Sequence, residues 1–229
     1  MDNRFVLFDK VLHVLAKEGV LDKLILIGGW CPYLYRIHYD NTPYISSLRT
    51  MDIDFLIPRP FKDMAEINVD ILLTGIGFGR EYSIFSGNIR YVHPELEVEF
   101  LTPEIGRGSS EPMQFTSLHL TAQKMRFLRI LQQYCININY EGLLVRVPEP
   151  AAYVLHKFIL SEKRENLKKR EKDLSAAIEI GEFLLYSESG KNRLSSIYRE
   201  LPVKWKAIIS RVMKPASPKL YSEIVLSGT

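Results

Sequence analysis

The chain holds only two cysteines in 229 residues, Cys31 and Cys135. Two thiols so far apart build no disulfide framework, and reduced cysteines in a cytoplasm are the expectation. Neither they nor His38, His93 and His156 stand at zinc-ligand spacing; His156 reads as a packed helix residue. No apolar run approaches the ~18 residues of a membrane span. The strongest, Leu24 to Ile27, stops at two glycines. Met1-Asp2-Asn3-Arg4 does not lead into an apolar segment, so neither a secretory signal nor a membrane partner is expected. Charge of one sign is scarce as well. The 30 basic residues against 27 acidic ones leave a net +3, too little for charge alone to argue for nucleic acid. There is no internal repeat, and no G-x-S-x-G elbow to support serine hydrolase chemistry. Gly75-Ile76-Gly77-Phe78-Gly79 has the wrong spacing for a dinucleotide loop and follows no strand.

What is present is an ordinary globular composition, 46% hydrophobic and 25% charged. A chain of this length buries roughly 70% of its unfolded surface and needs no metal or disulfide to hold a core. Apolar residues recur at helical spacing from residue 3 to 17. Leu24 to Ile27 suits a buried strand, and residues 30 to 37 suit a helix after Gly28-Gly29. Met51 to Ile57 reads as a strand closed by Pro58 and Pro60. Residues 63 to 74 read as a helix, followed by a glycine-rich turn. Strand patterns follow at 82–85, 89–92 and 96–101. Residues 106 to 112 form a polar loop. Ala122 to Gln133 has helical composition, and Tyr134 to Val147 reads as a hairpin turning at Glu141-Gly142. From Pro150 onward the pattern is helical, at about 150–163, 168–186, 190–199 and 202–213. Residues 214 to 229 read as a loosely ordered tail. The expected architecture is α+β: a mixed sheet with flanking helices over residues 1–148, then a helical domain over 149–229.

Three features carry chemistry. Gly28-Gly29 lies directly after a strand and before a helix, where glycine admits close approach of a ligand and free N–H groups bind anions. A tight turn is the plainer reading of that pair. Asp52 and Asp54 are two apart on a strand, so both carboxylates project from one face with Cα atoms roughly 6.5–7 Å apart. Such a pair can hold divalent cations, although a solvated edge strand would also carry it. Glu97 and Glu99 share a face in the same way, and one of them can complete a triad of acids.

Taken together, strand, Gly-Gly, helix, Asp-x-Asp strand and a later acidic strand resemble the polymerase-β-type nucleotidyltransferase superfamily. Gly28-Gly29-Trp30 with Leu48-Arg49-Thr50-Met51-Asp52-Ile53-Asp54-Phe55-Leu56 is similar to its minimal bacterial members. The resemblance covers about residues 20 to 101, and a weaker one runs from Pro148-Glu149-Pro150 to Lys172-Asp173. It implies that Asp52, Asp54 and a third acid bind Mg²⁺ or Mn²⁺, and that the backbone at Gly28 and Gly29 touches nucleotide phosphates. The third acid is Glu97 or Glu99. Glu99 is preferred because Phe100-Leu101-Thr102-Pro103 after it resembles the strand end in the family. The substrate implied is an NTP, with ATP expected, and the acceptor hydroxyl belongs to an RNA, a protein or a small molecule.

Cations for a triphosphate are sought first at Lys157, which sits among Leu155, Phe158 and Ile159, and next at Lys172. Arg49, just before the acids, contacts phosphate or pairs with Asp52. Trp30, Tyr33, Tyr35 and Tyr44 either stack a base or belong to the core. The competing reading is a nucleotide-binding regulator or toxin–antitoxin component that keeps the fold without turnover, with a protein partner or a homo-oligomer compatible with either.

Overall fold

A computed structural model of the chain describes residues 3–45, 50–62, 65–82, 87–106 and 111–226. The chain divides into two compact units, residues 1–34 with 48–147 and residues 35–47 with 148–229. Among the described residues no helix is long and apolar enough to cross a membrane.

The first unit is built on a mixed sheet. Helix α1 (Asn3–Lys17) buries Leu7, Phe8, Val11, Leu12 and Leu15 along one face. Strand β1 (Ile25–Ile27) follows, then a turn of 3₁₀ helix at Gly28–Trp30 leads into α2 (Cys31–His38). Strand β2 (Asp52–Leu56) pairs antiparallel with β1. Helix α3 (Val69–Gly75) and strands β3 (Gly79–Tyr82), β4 (Ile89–Val92) and β5 (Glu97–Pro103) complete the main order β1-β2-β5-β4-β3. Strand β5 lies parallel to β2, and its far half pairs with β7 (Leu120–Met125), which in turn pairs with β6 (Met113–Phe115). One face of the sheet is apolar: Ile53, Phe55, Val98 and Phe100 are wholly buried, and the Phe55 and Phe100 rings stack at 5.8 Å. After β7 come helix α4 (Leu128–Gln133) and the hairpin of β8 (Cys135–Tyr140) and β9 (Leu143–Pro148). Glu141 and Gly142 both have positive φ, 50° and 81°, the backbone that a two-residue hairpin turn requires.

Several expectations change here. The helix expected at 63–74 starts only at Val69, where the Asn68 side chain accepts a hydrogen bond from the Ile71 N–H at 3.0 Å. Just before it, Ile67 N–H is committed to the Ser117 carbonyl at 2.8 Å, which keeps that stretch extended. Residues 63 and 64 lie outside the described residues, as do 83–85 of the strand expected at 82–85; the strand that is described runs from Gly79 to Tyr82. The segment 122–133 splits into the end of β7 and helix α4. Pairing with β6 at Ala122 and along β5 from Gln123 overrides the helical composition of Ala122 to Met125.

The second unit is helical. Helix α5 (Pro150–Lys163) carries proline in its first turn, α6 (Leu167–Leu184) is capped by Asn166, and α7 (Glu188–Glu200) by Ser187. Helix α8 (Val203–Ala216) is followed by α9 (Pro218–Tyr221), capped by Ser217, and by a helical turn to Leu226. The expected loose tail is therefore ordered as far as Leu226. Leu220 and Ile224 are fully buried, and a Cβ at Gly181 would lie 2.8 Å from Leu220. Apolar anchors at helical spacing outweigh the two prolines.

His156 sits inside α5 at 4% exposure, and its Nε2 finds no hydrogen-bond partner among the described residues. Burial, reinforced by Lys157 and Arg164 and opposed by Asp173, lowers its pKa from 6.5 to about 3. The unfolded chain takes up this proton below pH ~6.5 while the folded chain resists it. Stability therefore falls as pH drops through that window, by about 2 kcal/mol between pH 7 and 5. Chemical denaturation at the two pH values is expected to show this loss in the wild type and a much smaller one in His156→Leu. Equal losses in both would remove His156 as the cause.

Candidate active site

The register of the sheet assembles the acids. Strand β2 meets β5 in parallel with Asp52 opposite Glu97 and Asp54 opposite Glu99. Neighbouring strands are ~4.8 Å apart and same-face residues roughly 6.5–7 Å apart. The Cα atoms of the four acids thus mark the corners of a small rectangle. Asp52 is exposed and the other three are half-buried, whereas Ile53 and Val98 between them point into the core. The alternation is what separates an acidic face from an apolar one on the same two strands.

The glycine pair closes on this face from β1. Ile27 is the register partner of Asp54, so the chain turns at Gly28 directly beside that carboxylate. Gly28 has φ +76°, and a Cβ there would lie 1.9 Å from Asp54 Oδ2. A Cβ on Gly29 would lie 2.7 Å from the Cβ of Thr50, which is itself buried and whose hydroxyl accepts the Asp52 N–H at 3.3 Å. Both glycines are needed because no side chain fits between the turn and the Asp-x-Asp strand.

Strand β4 adds a cation. Arg90 is the register partner of Glu99, and its guanidinium reaches three acids on two strands. It donates to Glu97 at 3.0 Å and to Glu81 at 3.2 Å, and stands 3.8 Å from Glu99. Nothing in the sequence around Arg90 marks it out; only strand pairing brings it to the acids. Thr50 is legible in the sequence as part of the motif but not as the packing partner of Gly29.

Asp52, Asp54, Glu97, Glu99, Gly28 and Gly29 thus come together in the first unit. Arg49 lies outside the described residues. Lys157 and Lys172 belong to the second unit. Lys157 donates to Asp173 at 2.5 Å and lies over the Tyr153 ring at 5.3 Å, while Arg164 binds the other oxygen of Asp173 at 3.1 Å. Burial pushes the Asp173 pKa up, but Lys157 and Arg164 outweigh it and hold the carboxyl below its ordinary value. Lys172 is exposed on α6. Trp30 is a core residue, not a base platform: it has no exposed surface and stacks on Phe8 with centroids 3.8 Å apart. Tyr35 is likewise buried, Tyr33 is half-buried and Tyr44 is 62% exposed.

Among the described residues no three Asp, Glu, His or Cys side chains enclose a common point as a ready-made metal cage. The donor set is nevertheless that of a hard cation. Mg²⁺ is held by one or two carboxylates together with waters and substrate phosphates, not by an all-protein cage. A carboxylate beside a cleared glycine turn fits such shared coordination.

A family model described as Nucleotidyltransferase matches residues 7–200. Among solved structures, an antigenic nucleotidyltransferase-like protein from Paracoccidioides brasiliensis is 13% identical, with 94% of this chain and 91% of that one covered at a TM-score of 0.49. The antibiotic-resistance factor ANT(2'')-Ia is 14% identical, with 91% and 96% covered at a TM-score of 0.47. No curated protein sequence matches the chain.

Proposed function

Since this chain belongs to the nucleotidyltransferase family, we propose that it is a metal-dependent enzyme moving NMP from an NTP, ATP first, to a hydroxyl acceptor. The observation that carries this reading is the clearance at Gly28, where an absent Cβ leaves room against the Asp54 carboxylate. A turn needed only for chain reversal has no reason to press on an acid of the neighbouring strand.

Asp52, Asp54 and Glu99 would hold the Mg²⁺ or Mn²⁺. Bound there, the cation neutralises developing phosphoryl charge and lowers the pKa of the acceptor hydroxyl. The N–H groups at the start of the helical turn after Gly28 receive triphosphate oxygens. The acceptor oxygen attacks the α-phosphorus, a new O–P bond forms, the bond to the bridging oxygen breaks and pyrophosphate leaves. The hydroxyl proton passes to the Glu99 carboxylate. Positioning and electrostatics supply the rate, so no histidine is required.

The test uses ATP labelled at the α- or the γ-phosphate, with Mg²⁺ or Mn²⁺, offered with RNA, protein and aminoglycoside-type acceptors. The expected result is metal-dependent transfer of the α-label alone to one acceptor class. Transfer of the γ-label would make the chain a kinase, and transfer of neither to any class would favour nucleotide binding without turnover.

A further inference from the structure

We propose that Arg90 is a built-in competitor for the divalent cation, a guanidinium that ties up the acids of β5 and sets how much metal the site requires. The proposal rests on the reading of Asp52, Asp54 and Glu99 as the cation site. Arg90 lies in the row of register partners that crosses the sheet as Ile27, Asp54, Glu99, Arg90 and Glu81. Its side chain does not simply face its partner Glu99. It leans along β5 to hydrogen-bond Glu97 at 3.0 Å through Nη1, keeps Glu99 at 3.8 Å, and reaches Glu81 on β3 at 3.2 Å through Nη2. A planar fork is suited to spanning acids on different strands in this way.

The consequence is electrostatic. Carboxylates crowded on one sheet face repel one another, and a single guanidinium between them relieves part of that repulsion. A dication arriving at Asp54 and Glu99 relieves the same repulsion and is repelled by the guanidinium. The two charges therefore oppose each other's binding, and the coupling is reciprocal. Arg90 is 40% exposed, Glu97 32% and Glu99 25%. Solvent screens the coupling at that exposure. Neutralising residue 90 is expected to tighten cation binding about three- to tenfold.

Mn²⁺-dependent binding of a non-hydrolysable ATP analogue to the full chain, measured by calorimetry, tests this without any need for turnover, because substrate phosphates complete the coordination. The variants are Arg90→Gln, Arg90→Met (which keeps the aliphatic stem should glutamine disturb the fold), Arg90→Lys and Asp54→Asn. The expected result is tighter binding in Arg90→Gln and Arg90→Met, affinity closer to wild type than to either in Arg90→Lys, which keeps the charge without the fork, and loss in Asp54→Asn. A merely structural residue would not be rescued by charge alone. Unchanged or weaker binding in both neutral variants, with binding still lost in Asp54→Asn, overturns the role of Arg90 and leaves the site standing. Absence of binding in every variant overturns both.

Discussion

Gly28→Ala is expected to cost transfer activity about a hundredfold or more, together with a loss of stability. The stability loss has two sources. An L-residue at φ +76° is strained by about 1–2 kcal/mol, and the new methyl group would overlap Asp54 Oδ2 at 1.9 Å. Something must move, and the carboxylate is the side chain in the way. A displacement of about 1 Å at a reacting centre is enough for a hundredfold loss. For a domain of this size the unfolding temperature is expected to fall by about 4 °C or more. Gly19 provides the control. It has φ +68°, and a Cβ there would meet nothing within 4 Å, so Gly19→Ala is expected to cost similar backbone strain and no activity. Thermal unfolding and transfer rates of the two variants check this. Equal activity in Gly28→Ala and Gly19→Ala would show that the clearance at Gly28 has no catalytic purpose.

Replacing Asp52 and Asp54 together by asparagine is expected to reduce transfer at least about a thousandfold, the scale of losing several kcal/mol of metal-borne stabilisation. Asparagine keeps the shape of each side chain, removes its charge and replaces one acceptor oxygen with an NH₂ donor. The two positions share a face with Glu97 and Glu99, so the substitution also reduces like-charge repulsion. The unfolding temperature is expected to stay within about 4 °C of wild type or to rise. Loss of activity with an intact fold separates a catalytic role from a structural one, and undiminished turnover would end the mechanism. The third acid is separable in the same assay: Glu99→Gln is expected to be inactive and Glu97→Gln active. The opposite pattern would exchange the two.

What can be read from the sequence is local. The Gly-Gly turn after β1, the alternation of Asp52 and Asp54 around Ile53, and that of Glu97 and Glu99 around Val98 are each contained within a few residues. Periodicity shows which side chains share a face, and β2 and β5 have the expected alternation. What periodicity does not contain is which strand lies beside which. The pairing of Asp54 with Glu99 joins segments some 45 residues apart, and the ties of Arg90 to Glu97 and Glu81 depend on two further strand pairings. Residues 122–125 depart from their helical composition for the same reason, since pairing with β6 at Ala122 and with β5 from Gln123 to Met125 makes them a strand. In the C-terminal segment two prolines and small polar residues mask Leu220 and Ile224, whose burial only the packed helices reveal. Lys157 has the pattern of a spare cation on an apolar helix. Its partner Asp173 lies on the next helix, beyond the reach of a pattern read along α5.

The most direct test of the central claim is calorimetric titration of ATP and the other NTPs, each with Mg²⁺ or Mn²⁺, into wild type and the Asp52→Asn/Asp54→Asn double variant. The predicted result is binding that requires the metal in the wild type and is lost in the folded double variant. Metal-dependent binding of equal strength in both proteins would place the nucleotide away from the acidic face and contradict the proposed role of these acids.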